Sequence, residues 1–236
     1  MKAISIQQPF AFEILSGQKT IEVRSWDTTY RGDLLVCSSK KPAFSREEME
    51  DLEEEYGSTF QYGRALCVVR LADVRLMNKG DEQKALMDEV DHEAYSWLIE
   101  DVRPVIHFPV KGLQGLFEVE DSYITLSPFR YDETVVVKNG VLAQDFGVEL
   151  SGWHGRATDI LMTENGEPRI RLRWDSQSLR SMPLEIIEKC EREAFDWTGV
   201  LVRLHEIEPA EPRDTWDDVD ATIEVIMTEN PSFFKA

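Results

Sequence analysis

The 236-residue sequence predicts an α+β protein of two small domains, on three observations. The first 125 residues alternate short apolar runs with helical patterns, as an α+β domain does. From about residue 144 the pattern becomes short strands of period two, the spacing of a small barrel. Between them residues 126–143, with Pro128 and an Asn139-Gly140 turn, read as a connector. A composition 42% hydrophobic and 30% charged supports a buried core in each domain.

The elements follow in order. KAISIQ reads as a strand, and Pro9 opens the apolar helix PFAFEILSG, with Gly17 just past its end. KTIEVRSW alternates as a half-buried strand and RGDLLVCSS follows as a more buried one. Ser45 and Glu48 form a capping box for the acidic helix SREEMEDLEEEYG, anchored by Met49 and Leu52. GRALCVVRLADVRLM is a long strand and DEQKALMDEV a second surface helix. VRPVIHFPVKGLQGLFEVED is a pair of strands broken by Pro109 and Gly112.

In the second half, GWHGRATDILMT, the turn ENGE and PRIRLRWD read as a hairpin. Ile170, Leu172 and Trp174 share one face, with Arg169, Arg171 and Arg173 on the other. Pro183 begins the helix PLEIIEKCEREAF, and VLVRLHEIE is another strand. The barrel is expected over 144–210. Residues 211–236 read as an acidic tail: an exposed Pro/Glu spacer, then a docked helix around 216–228.

Composition excludes several function classes. The sequence has no run of 18 apolar residues, and Gln7, Gln8 and Pro9 interrupt its start, so neither a membrane span nor a secretory signal is expected. The expected location is cytoplasmic. Cys37, Cys67 and Cys190 are odd in number and far apart, which fits reduced, buried thiols and no disulfide framework. His92, His107, His154 and His205 are too scattered for a metal site, and DEVDHE and DTWDDVD lack the EF-hand loop pattern. No metal and no cofactor are therefore expected. The sequence has no G-x-S-x-G, H-E-x-x-H or Walker loop.

Net charge is −19, against a polyanionic partner at first sight. Its distribution is uneven. Residues 1–43 hold six basic and four acidic residues, whereas 44–60 stand at −6 and 204–236 at −7. The densest polar cluster, Gly17 to Trp26 with Tyr30-Arg31-Gly32, lies in the slightly basic stretch. On a strand, Lys19, Ile21, Val23 and Ser25 would face one side and Thr20, Glu22, Arg24 and Trp26 the other. That is either a surface ion pair beside a packed tryptophan or a recognition cleft. In a cleft a cation meets phosphate, an aromatic face stacks on a base, and a carboxylate accepts from base N–H groups.

SIQQPFAFEILSGQKTIEVRSWDTTYRGDLLVCSSKKP, with the later IHFPVKGLQGLFEVED, resembles the activating signal cointegrator homology (ASCH) domain over about residues 1–121. The motifs are Gln-Pro before the first helix, Gly-x-Lys-x-x-Glu-x-Arg-Ser-Trp, Tyr-Arg-Gly, the paired Lys40 and Lys41, and Phe-Pro-Val-Lys-Gly. The resemblance implies a PUA-like pseudo-barrel with a cleft beside the first helix, and a place among RNA-binding and nucleic-acid-binding domains. It also admits enzymes, since some relatives are amidohydrolases of acylated cytidine or single-strand ribonucleases. The amidohydrolase nucleophile is a threonine where this sequence has Glu22, its activating lysine matches Lys19, and a carboxylate cannot form the same acyl intermediate. A nuclease using Glu22 as general base, with Lys19 or Arg24 stabilising a phosphorane, stays open.

The second half carries Trp153-His154-Gly155-Arg156, Arg173-Trp174-Asp175-Ser176, Asp196-Trp197 and Pro212-Arg213-Asp214. These are similar to SH3-like barrels of the Tudor or KOW type. Two of Trp153, Trp174 and Trp197 are expected in the core. The triple arginine face is either a basic contact surface or a solvated strand paired with acidic neighbours.

The resulting expectation is a protein that binds RNA, single-stranded DNA or a nucleotide. Lys19, Glu22, Arg24, Trp26, Tyr30 and Arg31 would line the cleft, with Lys40 and Lys41 at its rim. The alternatives are a ribonuclease or nucleoside hydrolase with Lys19 and Glu22 catalytic, and an adaptor that meets a protein partner through the C-terminal barrel. The overall acidity favours a short strand or flipped base over broad duplex binding.

Overall fold

The computed structural model describes residues 1–143, 147–163 and 165–234 and divides into two compact units, Met1–Pro128 and Phe129–Ala236. Residues 144–146 of the expected barrel, Glu164 of its turn and the last two residues of the tail lie outside the described residues. Helices and strands are mixed in both units, the α+β class the sequence predicts.

The first unit runs β1 (Lys2–Ile6), α1 (Phe10–Leu15), β2 (Ile21–Arg24), β3 (Gly32–Ser38), α2 (Arg46–Glu55), β4 (Ala65–Leu76), α3 (Glu82–Ala85), β5 (Tyr95–Pro104) and β6 (Leu116–Glu118). Its strands form one sheet in the order β2-β5-β4-β3-β1-β6, antiparallel throughout except between β1 and β3. Register shifts at Val36/Cys37, Val68/Arg70 and Leu71/Asp73 insert extra residues along β4 and β5. Such bulges increase local twist, and the sheet curls into the expected half-barrel. Ala3, Leu35, Cys37, Ala65, Val68, Val105 and Phe117 fill one core cluster.

Helix α1 lies against β3, β4 and β5, with Phe12 packed on Tyr56 and Phe60 at ring separations of 5.4 and 5.3 Å. Gln8 secures its start: its Oε1 accepts from the Phe12 N–H at 2.9 Å and its Nε2 donates to the Gln61 carbonyl at 2.8 Å. The capping box of α2 forms as the sequence predicts, through Ser45 and Glu48. All three cysteines are free and buried, and burial pushes the Cys37 thiol up to about 12.

Two local expectations change. The second surface helix shortens to the four residues of α3, because Leu86 turns into the left-handed region at φ 53 and ends it. Strand β5 was not expected before residue 102; Ser96 and Trp97 are nonetheless fully enclosed there because β2 and β4 flank it.

His107 follows β5 and is 2% exposed, with Nδ1 lacking a hydrogen-bond partner. Burial, with the nearby Arg64 charge, holds its pKa at about 4. An unfolded chain takes up that proton near pH 6.5, so between those values the unfolded state binds more protons and stability falls as pH falls. Urea titrations from pH 7 to pH 4 are expected to show wild type losing about 3 kcal/mol more than His107→Gln; parallel curves would refute this.

The second unit comprises β7 (Glu133–Val137), β8 (Leu142–Ala143), β9 (Val148–Glu149), β10 (His154–Met162), β11 (Pro168–Trp174), α4 (Ser176–Ser181), α5 (Leu184–Glu193), β12 (Gly199–Arg203), β13 (Ile207–Pro209) and α6 (Trp216–Glu229). Strands β8 and β9 pair separately; the others form one antiparallel sheet ordered β12-β11-β10-β7-β13. The stretch expected as a connector therefore contributes β7, an interior strand of that sheet. Alternation in β11 is as predicted: Ile170, Leu172 and Trp174 are buried. The arginine face meets acidic and aromatic neighbours, with Arg169 3.2 Å from Glu167, Arg171 3.5 Å from Asp196 and Arg173 over the Trp216 ring. Trp174 and Trp197 are core and Trp153 is half-buried, packed edge-on against Trp174.

The spacer before α6 is not merely exposed. Arg213 pairs with Asp175 at 2.6 Å and Asp214 with Arg156 at 2.8 Å, and α6 docks on α4.

A cationic cleft in the first unit

Strands β1 and β3 run parallel with Ser5 opposite Cys37 and Ile6 opposite Ser38, so the segments leaving both strands emerge at the same end of the sheet. Backbone bonds tie those segments together: Ser39 N–H to the Ile6 carbonyl at 2.7 Å and Ala43 N–H to the Gln8 carbonyl at 2.9 Å. Gln7 Nε2 adds a bond to the Pro42 carbonyl at 3.0 Å. Gly63 links this wall to the next, since its N–H donates to the Ser38 carbonyl while its carbonyl accepts from Val110 N–H. The resulting cleft has a volume of about 1100 Å³. Its walls are β1, Arg24 at the end of β2 and Trp26 just after it, residues 38–41, Gly63 and residues 110–115.

Two glycines set its dimensions. Gly63 sits at φ +66, and a Cβ there would stand 3.0 Å from Cγ of Lys40. At Gly112 a Cβ would lie 2.5 Å from Ser5 Oγ and 3.1 Å from its Cβ, so a side chain there would force Ser5 to shift where the 110–115 segment approaches β1.

Of the residues predicted for the site, Arg24, Trp26, Lys40 and Lys41 line the cleft. Arg24 is anchored by its own protein: Nη2 donates to the Ser5 carbonyl at 3.1 Å, and Nε lies 3.0 Å from Glu22 Oε1. Trp26 packs edge-to-face on Trp97 with ring centroids 4.7 Å apart and remains half-exposed.

Lys19 and Glu22 stand behind this wall. The strand begins at Ile21, so the alternation expected from Lys19 onward does not reach it, and Lys19 turns to the same side as Glu22, 4.0 Å away. Its Nζ donates to the Ala85 carbonyl and lies 5.3 Å from the Phe10 ring centre. Burial lowers the Lys19 pKa, opposed by the charges of Glu22 and Glu13. Burial likewise raises Glu22, opposed by Arg24 and Lys19. The group orients Arg24, and neither Lys19 nor Glu22 lines the cleft.

Tyr30 and Arg31 are also outside its lining. Tyr30 OH donates to the Asp33 carbonyl at 2.5 Å. Arg31 donates from both Nη atoms to Asp73 and to the carbonyls of Thr28, Tyr30 and Val74, which makes it a loop staple.

Lys111, Gly112, Gln114 and Ser39 are functional candidates that sequence reasoning passed over. The signal for Lys111 and Gly112 was present in Phe-Pro-Val-Lys-Gly, where a lysine beside glycine marks a close-approaching loop. The sixteen lining residues include four cations, Arg24, Lys40, Lys41 and Lys111, and no carboxylate. Among the described residues Lys40, Lys41 and Lys111 meet no acidic partner. Such a surface can receive an anion while a half-exposed indole offers an aromatic contact.

The ASCH domain family model matches residues 4–122. Activating signal cointegrator 1 of Homo sapiens is 26% identical over 129 residues, covering 50% of this chain and 22% of that protein. The chain thus spans about a fifth of the length of that curated relative. Among solved structures, ASCH from Zymomonas mobilis is 14% identical, covers 51% of this chain and 88% of its own, and superposes with a TM-score of 0.37. A mutant of it is 13% identical, with 52% and 96% covered and a TM-score of 0.35.

Proposed function

We infer the function from one premise, that this chain belongs to the ASCH domain family through its first unit. We propose that this unit binds single-stranded RNA or DNA, or a nucleotide, in the cationic cleft. The observation that carries the reading is the lining itself: four cations without a carboxylate in a chain of net charge −19. Lys40, Lys41 and Lys111 take backbone phosphates, Arg24 is held at a fixed angle for a further contact, and Trp26 stacks on a base. The acidic remainder of the chain disfavours long duplexes and leaves short-range contacts in the cleft to select the ligand. No helix among the described residues is long and apolar enough to cross a membrane, and the cytoplasmic location is part of the same proposal.

Fluorescence titration with short single-stranded RNA, single-stranded DNA and a duplex of equal length, at low and moderate salt, tests this. Expected are salt-dependent binding with single strands ahead of duplex, and about a tenfold loss in Trp26→Ala from lost stacking. Absence of salt-dependent binding by the folded protein would overturn the reading.

A further inference from the structure

In the second unit, α4, α5 and α6 enclose a groove of about 620 Å³. Its floor is Leu179, Met182 and Ile187, all buried. Its walls include Leu184 and Val225, which leave 47% and 53% of their surface exposed. Two aliphatic side chains held this open beside a buried apolar floor form a surface with unused hydrophobic area. The groove is built rather than incidental, since Arg180 Nη2 donates to Thr222 Oγ1 at 3.0 Å and ties α4 to α6 across the floor. That bond also occupies the only cation among the described lining residues.

The charge around it is predominantly acidic. Helix α6 carries Asp217, Asp218, Asp220, Glu224 and Glu229 and no basic residue, and Glu229 lines the groove. Helix α5 adds Glu185, Glu188, Glu191 and Glu193 against Lys189 and Arg192, so the two helices together carry a net charge of −7. A second copy would bring one acidic face against another. The chain's own C-terminal segment is engaged elsewhere, with the Phe234 ring 6.0 Å from that of Trp197.

We propose that this groove docks a basic amphipathic helix of a partner protein, its apolar stripe set between Leu184 and Val225 and its Lys/Arg flanks against the carboxylates of α5 and α6. The mode is helix-in-groove recognition, with anchors about one helical turn apart. It places a protein contact on the helical layer of the second unit and does not involve Trp153.

The test uses the full chain and a model peptide helix with leucines at i, i+3, i+4 and i+7 and lysines elsewhere, with a glutamate-for-lysine version as comparison. Binding is read by fluorescence anisotropy. The lysine peptide is expected to bind wild type and to lose at least about tenfold in Leu184→Asp/Val225→Asp, where charge enters the apolar stripe. Leu142→Asp/Leu201→Asp, which adds the same charge at exposed positions outside the groove, is expected to leave affinity unweakened. Circular dichroism confirms that both variants are folded. Equal affinity of the two doubles would reduce the effect to diffuse attraction and overturn the proposal, as would equal binding of the glutamate peptide. A wild-type dimer in sedimentation that the Leu184/Val225 double abolishes would assign the groove to a second copy instead.

Discussion

Lys40→Ala, Lys41→Ala and Lys111→Ala combined are expected to weaken binding of a short single-stranded oligonucleotide by about a hundredfold. The three ammonium groups enter the cleft from two segments far apart in sequence and meet no carboxylate among the described residues. Their interaction is therefore available to a ligand without breaking an internal pair. At about 1 kcal/mol for each phosphate contact, three contacts correspond to about two decades in Kd. The salt dependence should fall with them, the slope of log K against log salt decreasing by about 2 for a single strand. A variant losing three cations elsewhere, Lys79, Lys138 and Arg192, changes net charge equally and should bind within about twofold of wild type. Similar losses in both triples would mean that overall charge governs binding and the cleft does not.

Asp214→Ala is expected to destabilise the second unit by about 3–5 kcal/mol. Its side chain is 5% exposed and that of Arg156 is 7% exposed. Asp214 Oδ1 accepts from Arg156 Nη2 at 2.8 Å, and Oδ2 accepts from the Ser176 N–H at 2.5 Å at the start of α4. Alanine leaves a buried guanidinium that keeps the residue-214 carbonyl at 2.6 Å but whose nearest remaining carboxylate is Asp132 at 3.9 Å, with the Trp216 ring at 4.7 Å, and it also orphans a helix N–H. Urea unfolding measures the effect as a lowered midpoint with an unchanged slope. The double variant Arg156→Met/Asp214→Leu is expected to recover much of the loss, because no charge remains to be buried. A single-variant loss below about 1 kcal/mol would show that solvent reaches the pair.

Much of the local structure was legible from side-chain pattern. Ser45 and Glu48 announce a capping box, and Ile170, Leu172 and Trp174 announce a buried strand face, because each signal is carried within a few residues by hydrogen bonding or by the two-residue period of a strand. The site was legible in half. Arg24, Trp26, Lys40 and Lys41 were found because two short motifs hold them. Lys19 and Glu22 were assigned to the ligand because charge type is visible in sequence and burial is not. Here a strand that starts two residues after Lys19 turns both toward the interior, where they serve Arg24.

The sequence by itself determined the α+β class, the two-part organisation, the family of the first half and the local sign of its charge. Only the tertiary structure decided that residues 4–7, 24–26, 38–41, 63 and 110–115 share one cleft. It also decided that Arg213 and Asp214 clasp α4 and β10 when they could have lain in a free spacer. The physical reason is the same in both cases. These contacts depend on the register of strands distant in the chain, on the curl introduced by three register shifts and on which charges lose water, and none of these is encoded within a few consecutive residues.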